Sequence, residues 1–154
     1  MKSDMKQSDK HGNRICSNTD LAAMVALMAE AIQADTIICV TQRGGFARQL
    51  ADLAIAPRLI PATVDQKTYD ALREAEFEAL RLPLYAADKY SEVRLAISVA
   101  LKEGKVAIGD LVICAIGCGV YPEEGDLVVV TYVDRSAGSL VISDLLRLTD
   151  GIQP

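Results

Sequence analysis

The sequence predicts an α/β domain whose parallel sheet is covered by helices on both faces. Three observations carry this. Short β-branched runs alternate with helical patterns along most of the chain. The inner runs, 36–41 and 111–116, are apolar throughout rather than alternating, as strands buried on both faces are. The first run ends in Gly44-Gly45, and a helical pattern begins at once. Strand, glycine turn and helix are the first half of a βαβ unit.

Residues 1–17 are polar, contain lysines and show no periodicity, so they read as a disordered tail. Asn18, Thr19 and Asp20 are N-cap candidates for a helix over about 20–33. That helix is apolar nearly all round, which places more than one of its sides against protein, in a subunit or domain contact or in simple core burial. Strand one spans 36–41. The next helix covers 46–53 and stops before Pro57. Strand two is 58–62, and Thr63 or Asp65 caps a helix over 66–75. A short strand at 79–82 ends near Pro83. Asp88 or Ser91 starts what the pattern marks as the longest helix, with Gly104 as the residue after its C-cap. Gly109-Asp110 turns the chain into strand four, 111–116, and the loop 117–125 leads to strand five, 126–133. Residues 140–148 carry one more apolar pattern. The final stretch, 149–154, reads as a linker or boundary before a further domain, a natural end being the alternative.

With 154 residues the chain suits one domain, expected over 18–148. A chain of this size buries roughly 68–70% of its unfolded surface and needs no staples. Net charge is −5, and outside residues 1–17 there are 12 basic against 19 acidic residues. Such a body has no general attraction for nucleic acid polymers or anionic membranes. No leader of secretory type is read, and the longest apolar stretch, 21–32, is too short to span a bilayer, so a cytoplasmic location is expected. The four cysteines form no CxxC pair; Cys39 and Cys114 lie in apolar runs and read as small buried hydrophobes. The one histidine, His11, lies in the polar tail, which leaves no basis for a His-built metal site or triad. Nothing in the sequence asks for a cofactor.

The functional signal is the turn Thr41-Gln-Arg-Gly-Gly-Phe-Ala47. It aims backbone N–H groups and a positive helix end at one point, a geometry that suits an anion such as phosphate. Gly44 lets a ligand approach the backbone closely. Arg43 and Arg48 supply charge, and Thr41, Gln42 and Gly45 complete the candidate site.

These elements resemble the C-terminal domain of pyruvate kinase. That family's first strand ends in Thr-x-Ser-Gly-Arg-Ser-Ala, and Thr41, Gly44 and Ala47 match it. Its second strand, Ile-x-Ala-Val-Thr, resembles Leu59-Ile-Pro-Ala-Thr63; its proline-ended short strand resembles Leu80-Arg-Leu-Pro83; and Gly-Asp-x-Val-Val-x-x-x-Gly resembles Gly109-Asp-Leu-Val-Ile-Cys-Ala-Ile-Gly117. The resemblance covers about residues 19–134. It implies a three-layer α/β/α fold with a five-stranded mixed sheet in order 3-2-1-4-5, the last strand antiparallel. It also implies that this domain carries no kinase chemistry, which in that family sits in a separate barrel, and that it contributes subunit contacts and a site for a phosphorylated sugar effector. That site uses the loops after strands one and four, which adds Gly117, Cys118, Gly119 and Tyr121 to the candidate ligand-binding residues. Strands one and four diverge at a switch point, where open α/β sheets bind ligands.

The departures are informative. Arg43 and Phe46 stand where the family has its two phosphate-loop serines, and Gly45 where it has arginine. The second loop, Cys118-Gly-Val-Tyr-Pro-Glu-Glu124, lacks the usual Trp-Arg. Glu123 and Glu124 disfavour a compact bisphosphate and point to a nucleotide with an uncharged portion beside them. As chemistry, these carboxylates read better as a solvated turn than as an acid–base pair. Cys118 lacks a histidine partner, and Tyr121 reads better as packing. A second resemblance, to the N-terminal module of archaeal-type diadenylate cyclases, rests on Ser143-Asp-Leu-Leu-Arg-Leu-Thr-Asp-Gly-Ile152 leading onward; the cyclase's Asp-Gly-Ala and Arg-His-Arg motifs are not found. The expectation is a self-associating regulatory or assembly module that senses a phosphorylated small molecule or nucleotide, is not a pyruvate kinase, and belongs to a larger protein. The alternative is a small stand-alone nucleotide- or flavin-binding protein or enzyme.

Overall fold

The computed structural model describes residues 18–117, 120–121 and 127–138. The elements are α1 (Asn18–Ile32), β1 (Thr36–Val40), α2 (Gly45–Asp52), β2 (Arg58–Thr63), α3 (Gln66–Glu74), β3 (Leu80–Arg81), α4 (Lys89–Lys102), β4 (Leu111–Ile116), β5 (Leu127–Tyr132) and a single turn, α5 (Arg135–Gly138). The sheet has the order β3-β2-β1-β4-β5. The first three pairings are parallel and β4–β5 is antiparallel. The expected mixed sheet is therefore present.

Side chains alternate across the central strands and build two cores. On one face Ile38, Val40, Ile60 and Cys114 pack under Val93, Ala96, Ile97 and Ala100 of α4. On the other, Ile37, Cys39, Ile113 and Ala115 meet Leu21, Val25 and Ala29 of α1, Phe46 and Leu50 of α2 and Leu72 of α3. Cys39 and Cys114 sit on neighbouring strands, yet Cys39 pairs with Ala115 and Cys114 with Ile38, so the thiols point to opposite faces. Burial pushes both up, Cys114 to about 12, and they behave as the inert small hydrophobes expected.

Local chemistry sets the element ends. Asp65 caps α3 by accepting from Thr68 N at 2.9 Å, and Asp88 caps α4 by accepting from Ser91 N at 2.9 Å. Gly104, at φ 73°, follows the C-cap of α4, where Lys105 N reaches Ala100 O at 2.9 Å. One expectation changes. The longest described helix is α1, with 15 residues, because it begins at Asn18, ahead of the expected start near 20; α4 begins after the Asp88 cap as expected and has 14. The apolar surround of α1 is only partly covered: Leu21, Val25 and Ala29 are buried, while Met24 and Leu27 are 55% and 69% exposed.

Strand β3 is two residues long, paired only as Ala62↔Leu80 and Thr63↔Arg81. Pro61 accounts for this. Ala62 O accepts from Thr41 N on the β1 side and Thr63 O accepts from Leu82 N on the β3 side. By the alternation of parallel ladders Pro61 faces β3, where it has no N–H to give.

Candidate functional site

The carboxyl ends of β1, β2 and β3 open onto one cleft. The β1 tip is shaped by Thr41, which is buried and accepts from Gly44 N at 3.0 Å through its side-chain oxygen. Gly44 then takes φ 94°, ψ −6°, a left-handed turn that glycine adopts without a Cβ penalty. Helix α2 starts directly afterwards with no side-chain cap, so its first amides have no partner within the helix. The Arg48 side chain folds back over this turn: an ideal Cβ on Gly44 would lie 2.5 Å from Arg48 Nη1. A guanidinium lying over a positive helix end is an arrangement that an anion would complete.

Gln42 and Arg43 are exposed and form one wall of the cleft, which has a volume of about 390 Å³. Val64, Asp65 and Gln66 form the opposite wall, and Tyr85, from the β3–α4 connection, closes one side. The walls are tied together. Thr68 Oγ1 lies 3.1 Å from Gln42 O and 2.9 Å from Asp65 Oδ2, within hydrogen-bond reach of either. Arg81 Nε donates to Val64 O at 2.8 Å, and its Nη1 donates to Gln66 Oε1. The amide and then the hydroxyl of Thr68 hold the Asp65 carboxyl below its usual range, so it is a carboxylate near neutrality. Burial, then Glu92 and Asp65, push the Tyr85 phenol up, so it stays protonated.

Of the residues the sequence nominated, Thr41, Gln42, Arg43, Gly44, Gly45 and Arg48 lie together at the β1 tip. Gly117 lies beside them, its N–H donating to Val40 O at 3.0 Å. The Tyr121 hydroxyl lies 2.7 Å from Ala86 O and 3.1 Å from Glu92 Oε1. Cys118 and Gly119, with Glu123 and Glu124, lie outside the described residues.

Sequence reading missed Val64, Asp65 and Gln66 as cleft residues, and Tyr85. Asp65 was visible only as a helix cap. Its position at the tip of the strand next to β1 was the available signal. Glu92 was missed too. It is fully buried in α4, accepts from Ala86 N at 2.5 Å and leaves Oε2 without a hydrogen bond. Burial raises its carboxyl above the usual range, against the opposing pull of the Ala86 amide and the Tyr121 hydroxyl.

Among the described residues, no group of three or more His, Cys, Asp or Glu side chains is placed to hold a metal ion. No described helix is long and apolar enough to cross a membrane.

Comparison with known proteins bears on this arrangement. Residues 19–131 match the family described as "Pyruvate kinase, alpha/beta domain". No curated protein matches the chain. Among solved structures, the chain is similar to Cryptosporidium parvum pyruvate kinase in complex with ADP, at 19% identity and TM-score 0.61, covering 79% of this chain and 24% of that one. Two further structures of pyruvate kinase from the same organism give 18% identity each. Their TM-scores are 0.62 and 0.60, with 78% and 77% of this chain covered and 23% of theirs in each case. These likenesses show the fold, and the chain spans under a quarter of those enzymes' length.

Proposed function

Because the chain belongs to the pyruvate kinase alpha/beta domain family, we propose that it is a non-catalytic regulatory or assembly module that senses a phosphorylated small molecule or a nucleotide. The observation that carries this reading is the β1 tip: a left-handed Gly44, an uncapped helix start and the Arg48 guanidinium folded over both. Backbone amides and a guanidinium beside them bind an anion by position and charge, without proton transfer or a nucleophile. The cleft that continues from this tip has walls locked by side-chain contacts, so a ligand finds a formed site. In this reading the module serves a larger protein, of which a diadenylate cyclase is one form, and ligand occupancy is passed on through its surfaces.

Two measurements test the proposal. A coupled assay with phosphoenolpyruvate and ADP gives background rates; turnover that survives repurification refutes the non-catalytic reading. Titration of inorganic phosphate, glucose 6-phosphate and AMP, followed by amide NMR, shifts residues 42–48 first. Shifts that cluster elsewhere, or none at millimolar ligand, refute the sensing role.

A further inference from the structure

We propose that the cleft beside the β1 tip is a ribonucleoside subsite, in which Asp65 accepts hydrogen bonds from the ribose hydroxyls and Tyr85 offers a face to the base. This rests on the reading of the β1 tip as a phosphate-type site and names the ligand class it would take.

The argument begins with topology. β1 and β2 are adjacent and parallel, with Val40 opposite Ala62. Asp65 follows directly from the tip of β2, 21 positions after Gly44. In dinucleotide-binding α/β folds an acidic residue about 20 positions beyond the glycine turn reads the ribose of a ligand whose phosphate sits at the helix start. The geometric reason is general. Two parallel neighbouring strands bring their carboxyl ends to one side, so a group held at one tip lies within a sugar's reach of the next.

The side chains agree with that use. Asp65 Oδ2 takes both contacts from Thr68, while Oδ1 makes no hydrogen bond among the described residues. The cap fixes the carboxylate and leaves one oxygen for an outside donor. A ribose offers two hydroxyl donors and no charge, which suits a carboxylate better than a second phosphate would. Among the described residues, Arg43, on the facing wall, forms no ion pair that would hold it away from a ligand phosphate. Among the described residues Tyr85 is the one aromatic side chain lining the cleft, 38% exposed, and aromatic faces accept bases without regard to identity. About 390 Å³ is ample for a mononucleotide and generous for an amino acid or inorganic phosphate.

The test uses the full chain and isothermal titration with AMP, 2′,3′-dideoxyadenosine 5′-monophosphate and inorganic phosphate. AMP should bind about tenfold or more tighter than its dideoxy analogue, the scale of one hydrogen bond to a charged group. In Asp65→Ser, which keeps an oxygen to cap α3, that preference should collapse while phosphate binds as before. Asp65→Asn, which keeps the cap and removes the charge, gives a second variant if the serine form is poorly folded. Equal affinity of the wild-type chain for AMP and the dideoxy analogue overturns the ribose assignment and leaves the phosphate reading standing. An AMP preference that persists unchanged in both variants also overturns it. No binding of any of the three overturns both.

Discussion

Replacing Gly44 by alanine isolates the backbone contribution of the β1 tip. At φ 94°, ψ −6° a residue with a Cβ is strained by about 1–2 kcal/mol. The alanine also narrows the unfolded ensemble, which returns about 0.4–1 kcal/mol. The new Cβ would lie 2.5 Å from Arg48 Nη1 and 3.5 Å from Leu72 Cδ2. The second contact is ordinary van der Waals distance. The first is relieved by swinging an exposed side chain, so it adds little. The net loss is about 1 kcal/mol, which in urea moves the midpoint down by about 0.5 M for a slope of about 2 kcal/mol/M. Heating should show a drop of about 2–4 °C. Repeating the substitution in an Arg48→Ala background separates the two causes, because backbone strain is indifferent to Arg48. The same loss is expected there within about 0.5 kcal/mol. A Gly44→Ala protein as stable as the parent refutes the strain argument. A loss that vanishes in the Arg48→Ala background shows that the clash, and not the turn, sets the cost.

Three further outcomes follow from the structure. The buried Glu92 carboxyl has a raised folded value, so its contribution is complete below the ordinary carboxylate range and is lost as pH rises through the raised one. Urea midpoints at pH 4.5 and pH 8 should therefore favour Glu92→Gln over the parent increasingly with pH, and a constant difference between the two proteins contradicts this. Glu78 is held below its usual range, first by the hydrogen bond from Arg58, so Glu78→Gln should cost stability above the ordinary carboxylate range, and that cost should shrink as pH falls through the lowered folded value. Both partners of that pair are partly solvated, which limits the cost to under about 1 kcal/mol, and salt should shrink it. Met24 and Leu27 mark the outward side of α1, whereas Met28 packs on the core, so a Met24→Glu, Leu27→Glu protein should fold and scatter light as a smaller species than the parent; identical masses exclude this face as a self-association surface.

How much was legible follows from which signals are local. Continuous apolar runs at β1 and β4 reported burial on both faces, because a strand covered twice has no reason to alternate. The Gly44 turn was readable because only a few residue types accept φ near 94°. The strand order came from resemblance, since periodicity carries no information on which strand neighbours which. Asp65 and Tyr85 escaped because their place in the cleft depends on that order: an aspartate ahead of a helix looks the same whether its second oxygen faces water or a cleft. Glu92 had no signal at all, standing as a charged residue in a helix whose burial reaches further round than its apolar stripe. The exposed apolar side of α1 was half legible, since composition located the helix but only packing separates Met24 from Met28.

The brevity of β3 has a kinetic consequence. A strand held by two residue pairs, with Pro61 unable to extend the ladder, is the seam along which the sheet opens at least cost. Amide protons there, Leu82 among them, should exchange with solvent far sooner than those of β1, which is paired on both sides over its whole length. Tyr85 hangs from this seam, three residues past Leu82. The wall of the cleft that would meet a base is thus carried on the least anchored part of the sheet, while the walls bearing Gln42 and Asp65 are carried on β1 and β2, which are paired with each other along five residues. Occupancy of the cleft would then be recorded as slowed exchange at β3, a readout available without any change in the average structure.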